Sequence, residues 1–140
     1  MKQKDTLITA IKKCRNLWLW IANHPDKVKS DYFKSKKVKR VLNDCFSCDY
    51  AFGISRETKT MCKHCFLLNT WKQFNEIFKS FYIYPCETLT NSPYAKWKFI
   101  NNLINENPLI NNRSLLEQKS RLANEIVEGC DLELKKLQGN

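Results

Sequence analysis

The chain has 140 residues, 24 Lys and Arg against 14 Asp and Glu, a formal net charge of +10, 43% hydrophobic residues and seven cysteines. That length fits one domain, expected to bury roughly two thirds of its unfolded surface around a single core. An aromatic share of 12% and a charged share of 27% exclude a disordered chain, and no apolar run approaches the roughly 18 residues of a membrane-spanning helix.

Residues 1 to 5 lead into an amphipathic segment rather than a signal-peptide apolar region, so a reducing cytosol is the expected compartment. In that segment Leu7, Ile11, Cys14, Trp18 and Ile21 recur at helical spacing, with Asp5 or Thr6 as cap and Asn23-His24-Pro25 as stop. Trp20 falls off this stripe. It is the first candidate for a surface aromatic, unless the buried face is broad enough to absorb it. Tyr82 and Tyr84 are further candidates.

Residues 25 to 43 read as a loop and a short helix carrying Lys34, Lys36, Lys37, Lys39 and Arg40. Charge concentrates here: residues 1 to 44 hold 12 basic and 4 acidic side chains, whereas residues 101 to 140 hold 5 and 6. Such a cluster suits phosphates or an acidic protein surface, or is simply a solvated face.

The cysteines stand at 14, 45, 48, 62, 65, 86 and 130, and four of them form two C-x2-C pairs with thirteen residues between. A two-residue gap lets both thiolates of a pair approach one ion at about 2.3 Å, and two such knuckles complete a tetrahedral sulfur set suited to Zn2+. Cys45, Cys48, Cys62 and Cys65 are therefore the expected ligands. An iron-sulfur cluster or a disulfide pair is the competing use of the same residues. Four thiolates leave no position for an activated water, so the zinc is expected to be structural. Cys14 and Cys130 lie on apolar stripes and read as core residues. Cys86 is open between a buried thiol, a substitute ligand and a reactive thiol, and His64 reads as an exposed knuckle residue rather than a ligand.

Between the pairs, Asp49 to Met61 contains Gly53 among small and polar residues, which suits a short hairpin. After Cys65, the residues Trp71, Phe74, Ile77, Phe78 and Phe81 predict a helix fed directly by the second knuckle, as in treble-clef modules. Ser92 with Pro93 opens a further helix through Trp97, Ile100, Leu103 and Ile104 to Asn107-Pro108. The last helix is expected from a capping box of Ser114 and Glu117, and carries Leu115, Leu122, Ile126, Cys130, Leu134 and Leu137. The architecture that follows is mainly α: four to five helices around a small four-cysteine zinc module with at most a short β-hairpin. One domain is expected, with a basic helical part at 1–43, the zinc module at 44–68 and a helical part at 69–140.

Enzyme readings lack parts. Two histidines and three glycines give no phosphate-binding loop, no nucleophile elbow and no zinc-protease helix. The histidine pair of an HNH nuclease and the His-x-Glu of a zinc deaminase are missing as well. The cysteine spacing matches the first zinc module of nuclear receptors, but residues 66 to 81 carry eight large apolar side chains where a groove-reading helix needs Arg, Asn or Gln.

The segments WLWIANHPDKVKSDY (18–32), NDCFSCDYA (43–51), CKHCFLL (62–68) and CETLTNSPYAKW (86–97) together resemble a group of small accessory proteins encoded by large lytic tailed bacteriophages. The resemblance spans residues 18 to 97. Phe66 departs from it, since the group often has proline there, and so does the long C-terminal helix. It implies a protein in the host cytoplasm that binds and inhibits or redirects a host factor, such as a transcription or antiviral-defence component, by protein–protein contact. The alternative is a zinc protein that binds DNA or RNA without sequence preference through its basic first third. Neither reading calls for a membrane or for catalysis.

Overall fold

The computed structural model describes residues 3–57, 64–67, 92–107 and 112–139. Five α-helices are found among them: α1 Gln3–Asn23, α2 Lys29–Lys36, α3 Phe46–Ser55, α4 Pro93–Glu106 and α5 Arg113–Gln138, with a 3-10 turn at Leu42–Asp44 before α3. No strand occurs among the described residues. The fold is mainly α, as expected.

The apolar stripe of α1 forms one side of the core. Ile11, Cys14, Leu17, Trp18, Ile21 and Ala22 are buried, and the helix ends where the Asn23-His24-Pro25 stop predicts. The His24 backbone N–H donates to Ile21 O at 3.1 Å, and its Nδ1 lies 2.7 Å from Trp20 O, so the ring serves a carbonyl left over at the helix end.

Against this stripe lies α5, which buries Leu122, Ala123, Ile126, Val127 and Cys130. Two contacts define the relative direction: Arg15 Nε donates to Asp131 Oδ1 at 2.6 Å, and Ser120 Oγ donates to Ala22 O at 2.7 Å. As α1 advances from 15 to 22, its partner retreats from 131 to 120, so the two helices are antiparallel. Theirs is the largest helix–helix interface among the described residues, followed by that of α4 with α5.

Ser92 and Pro93 open α4 as read from the sequence, the Ser92 hydroxyl accepting from the Ala95 N–H at 2.9 Å. Its buried Trp97 meets Trp18 edge-on, with ring centroids 5.2 Å apart, and stacks with Tyr94 at 6.1 Å.

Three expectations are corrected. Asp5 and Thr6 lie inside α1, which already runs from Gln3, so neither is its cap. The segment after Cys48 is not a hairpin, because α3 continues to Ser55; residues 58 to 63 lie outside the described residues. Cys45 caps this helix and Phe46, Cys48 and Ala51 give it a buried face. Gly53, read as a turn signal, has open space where a Cβ would stand and is an exposed helical residue. The capping box at Ser114 is not formed either: Asn112 is the cap residue, Glu117 pairs with Arg113 at 3.5 Å, and Ser114 Oγ accepts from Gln118 Nε2 at 3.5 Å. The aromatic helix expected around Trp71 to Phe81, together with Tyr82, Tyr84 and Cys86, falls outside the described residues.

Lys119 on α5 is 2% exposed. Its ammonium donates to Asn101 Oδ1 at 2.8 Å and to Lys27 O at 3.3 Å, and lies 5.0 Å from the centre of the Trp97 ring. Burial lowers its pKa from 10.5 to about 8, against the opposing pull of Asp26 and Asp31. A base with a lowered folded-state pKa releases its proton in the folded chain first, so the unfolded state binds more protons between about pH 8 and 10.5 and stability rises across that window. Denaturant titrations at pH 7.5 and pH 9.5 should therefore show wild type gaining stability relative to Lys119→Met; an equal pH response in both proteins would remove Lys119 as the cause.

Candidate metal centre and basic patch

The first C-x2-C pair occupies the start of α3. Cys45 is the cap residue, in extended conformation at φ −139° and ψ 112°, and its sulfur accepts from the Cys48 N–H at 3.4 Å. A cysteine takes this place because a sulfur, like the oxygen of a usual cap, receives the unsatisfied N–H groups of the first helical turn. The Cys45 thiol is lowered to about 6, first by a hydrogen bond from Cys48. Burial opposes this, while Lys29 and the backbone N–H groups of Cys48 and Ser47 reinforce it.

Cys65, from the second pair, reaches the same helix. Its Sγ lies 3.0 Å from Ser47 Oγ, inside a buried contact. Phe66 and Leu67 are buried beside it, and Phe66 meets Tyr50 of α3 at 6.3 Å. Cys62 lies outside the described residues. Among the described residues no group of three or more His, Cys, Asp or Glu side chains is close enough together to hold a metal ion. Cys45 and Cys48 stand at the start of α3, and the hydroxyl of Ser47 between them contacts Cys65.

Two further cysteines stand behind this group. Cys14 of α1 and Cys130 of α5 are fully buried, as their stripes predict, and the two thiols hydrogen-bond each other. That bond raises the Cys14 pKa most; burial and the negative potential of Cys130, Cys45 and Cys65 raise it further. The sulfurs of Cys45 and Cys65 are therefore within electrostatic reach of the central helix pair.

Lys29 is the counterion in this region. Its ammonium donates to Asn43 O at 2.9 Å and sits 4.5 Å from the centre of the Tyr94 ring. Burial works to lower its pKa, but Tyr94, Cys45 and Cys48 outweigh it and the net shift is upward. Sequence reading missed Lys29, which stands sixteen positions before Cys45 and reaches it only because α2 folds back on the 3-10 turn. Sequence reading also passed over Ser47, although it stands between the two cysteines of C-F-S-C.

The basic residues are placed at the end of α2 and beyond. Lys34, Lys36, Lys37, Lys39 and Arg40 are all exposed. Lys34 and Lys36 lie in the last turn, where a positive charge complements the helix dipole. Lys37 ends the helix at φ 55°, its N–H donating to Phe33 O and Lys34 O. Arg40 is engaged within the chain: its Nε and Nη2 donate to the two oxygens of Asp44 at 2.8 and 2.6 Å. Trp20 is half-buried, stacked on His24 at 4.3 Å and edge-on to Tyr32 at 5.7 Å. The fold brings Trp20 and Lys36 together on one shallow depression of about 340 Å³, shared with His24 and Tyr32.

Comparison with protein-family models, curated proteins and solved structures gives no significant match for this chain. Among the described residues no helix is long and apolar enough to cross a membrane.

Replacing Lys29 by Met should raise the Cys45 thiol back toward the ordinary thiol range. If the zinc-loaded chain is acidified, a raised Cys45 pKa should release the ion at a higher pH in Lys29→Met than in wild type, followed with a chromogenic zinc indicator; an unmoved release pH would mean that Lys29 does not act on the sulfur.

Proposed function

We propose that this chain is a zinc-stabilised accessory protein, of the kind encoded by large lytic tailed bacteriophages, that binds and inhibits or redirects a host factor by protein–protein contact. The observation that carries the binding reading is the depression that Trp20 and Lys36 share with His24 and Tyr32, beside the exposed Lys34, Lys37 and Lys39. Tryptophan and tyrosine are enriched at the centres of protein interfaces, and surrounding cations steer an acidic partner onto them. The reading is of a stoichiometric binder without catalysis, acting in the host cytoplasm.

The zinc reading rests on donor chemistry. Cys45 at a helix start already receives N–H groups of the kind that stabilise a metal-bound thiolate, Ser47 is placed to donate to Cys65, and Lys29 offsets negative charge nearby. With Cys62 as the fourth ligand these residues would hold Zn2+ in a closed sulfur set, for which the metal supplies folding energy rather than reactivity. Apparent binding energies on the order of 10 to 16 kcal/mol exceed the net stability of an ordinary domain. Stripping the metal with a strong chelator is thus expected to unfold the region around α3, read as loss of helical circular dichroism with about one zinc released per chain. Unchanged ellipticity after complete removal, or a purified chain containing iron and inorganic sulfide, would sink this reading.

The binding reading is tested by affinity capture of the full-length tagged chain from host cells with mass spectrometry, run beside Trp20→Ala and Lys36→Glu. A host protein recovered in stoichiometric amount with wild type, and reduced about thirtyfold in affinity by Trp20→Ala, is the expected outcome. Thermal melting of the variants controls for loss of the contacts that Trp20 makes with His24 and Tyr32. If no host protein is recovered while duplex DNA or RNA binds with a steep salt dependence that Lys36→Glu flattens, the nucleic-acid reading replaces it.

A further inference from the structure

Phe99 of α4 is 63% exposed, the highest value among the large apolar residues described as exposed. It does not stand alone. It borders a groove of about 640 Å³ between α4 and α5, whose apolar lining includes Ile100 and Leu122 and whose rim carries Lys96, Lys98 and Arg121. No Asp or Glu lines this groove among the described residues. The volume is within the roughly 300 to 1,000 Å³ of sites that bury a ligand, enough for two or three large side chains.

We propose that the α4–α5 groove is a docking site for an acidic amphipathic segment of a partner protein, which lays apolar side chains against Phe99, Ile100 and Leu122 and sets carboxylates against Lys96 and Arg121. The charge of the rim selects this occupant. A second copy of the chain docking through the same groove would bring the Lys96 and Arg121 cations of one copy against those of the other. Single-stranded nucleic acid would satisfy the cations, but it binds through successive aromatic faces, and here Phe99 stands over an otherwise aliphatic lining. An amphipathic segment whose apolar residues recur along one face, flanked by Asp or Glu, meets both the lining and the rim. The groove belongs to α4 and α5, apart from the Trp20 and Lys36 depression on α1 and α2, so this proposal stands whether or not that depression binds a host factor.

The test is a display selection of random 16-residue peptides on the full-length protein, followed by fluorescence anisotropy of the enriched peptides with wild type, Phe99→Ser and Lys96→Glu, and with labelled oligo(dT) as a second probe. Phe99 is exposed, so its replacement leaves the core intact, which a thermal melt checks. The expected result is a pool of net negative peptides with at least two large apolar residues. Their affinity should fall at least thirtyfold with Phe99→Ser and several-fold both with Lys96→Glu and between 50 and 300 mM salt. A neutral or basic pool, no enrichment over the Phe99→Ser protein, affinities unchanged in that variant, or oligo(dT) binding that depends on Phe99 would overturn it.

Discussion

The antiparallel contact of α1 with α5 is the constraint on which the other parts depend. Ile11, Cys14, Trp18 and Ile21 on one side and Leu122, Ile126 and Cys130 on the other are nearly or wholly excluded from water. Apolar burial alone is non-directional. The register comes from polar groups at two points along the contact: Arg15 with Asp131, and Ser120 with the carbonyl of Ala22. Moving either helix by one turn would separate both pairs and leave the Ala22 carbonyl of the closing turn without its hydroxyl donor. The thiols of Cys14 and Cys130 each stand one residue from the Arg15–Asp131 pair on their own helix.

The cysteine group is placed by this contact together with four other elements. Lys29 comes from α2, the carbonyl that holds it from Asn43 in the 3-10 turn, the ring beneath it from Tyr94 of α4, and the sulfur it faces from the start of α3. Anionic sulfur in a half-buried position needs compensation, and here it is given by one ammonium and the N–H groups of a helix start. Lys119, on the other side of Trp97, is a buried amine held by an amide, a carbonyl and a ring face rather than by a carboxylate at hydrogen-bond distance among the described residues. Trp97 brings its own cost: its Nε1 is buried without a hydrogen-bond partner among the described residues.

How far this was legible in the sequence varied with how local the signal was. The end of α1 and the start of α4 follow from stops, caps and periodicity lying within a few residues of each other, and both agree with the structure; the expected cap of α1 at Asp5 or Thr6 does not, because the helix already runs from Gln3. Gly53 misled because a lone glycine weakens a helix without excluding it; the burial of Phe46 and Ala51 against α1 outweighs that cost. Ser114 misled by two positions, since a serine inside the first turn looks the same in sequence as one capping it. Trp20 was read as off the stripe, and it is indeed half-buried, because the buried face of α1 widens to include Leu17 and Ala22. Lys29 carried no signal at all, since its relation to Cys45 arises only after α2 packs. At the candidate site the C-x2-C spacing predicts Cys45, Cys48, Cys62 and Cys65 as ligands of one ion; Cys62 lies outside the described residues, and the structure brings Cys65 to the hydroxyl of Ser47, between Cys45 and Cys48.

The long separation along the chain between α1 and α5 has a consequence for synthesis. Arg15 and Asp131 are 116 residues apart, so at about 5 to 20 residues per second the first helix waits roughly 6 to 23 seconds for its partner to be made. During that interval Ile11, Trp18 and Ile21 have no finished core to enter, and whatever shelter the emerging chain gives them must come from α2, α3 and later α4. Closing so distant a contact is also slow by topology, despite the helical content that would otherwise favour rapid folding. A nascent chain of this protein would be most exposed to chaperones and proteases just before its last helix appears.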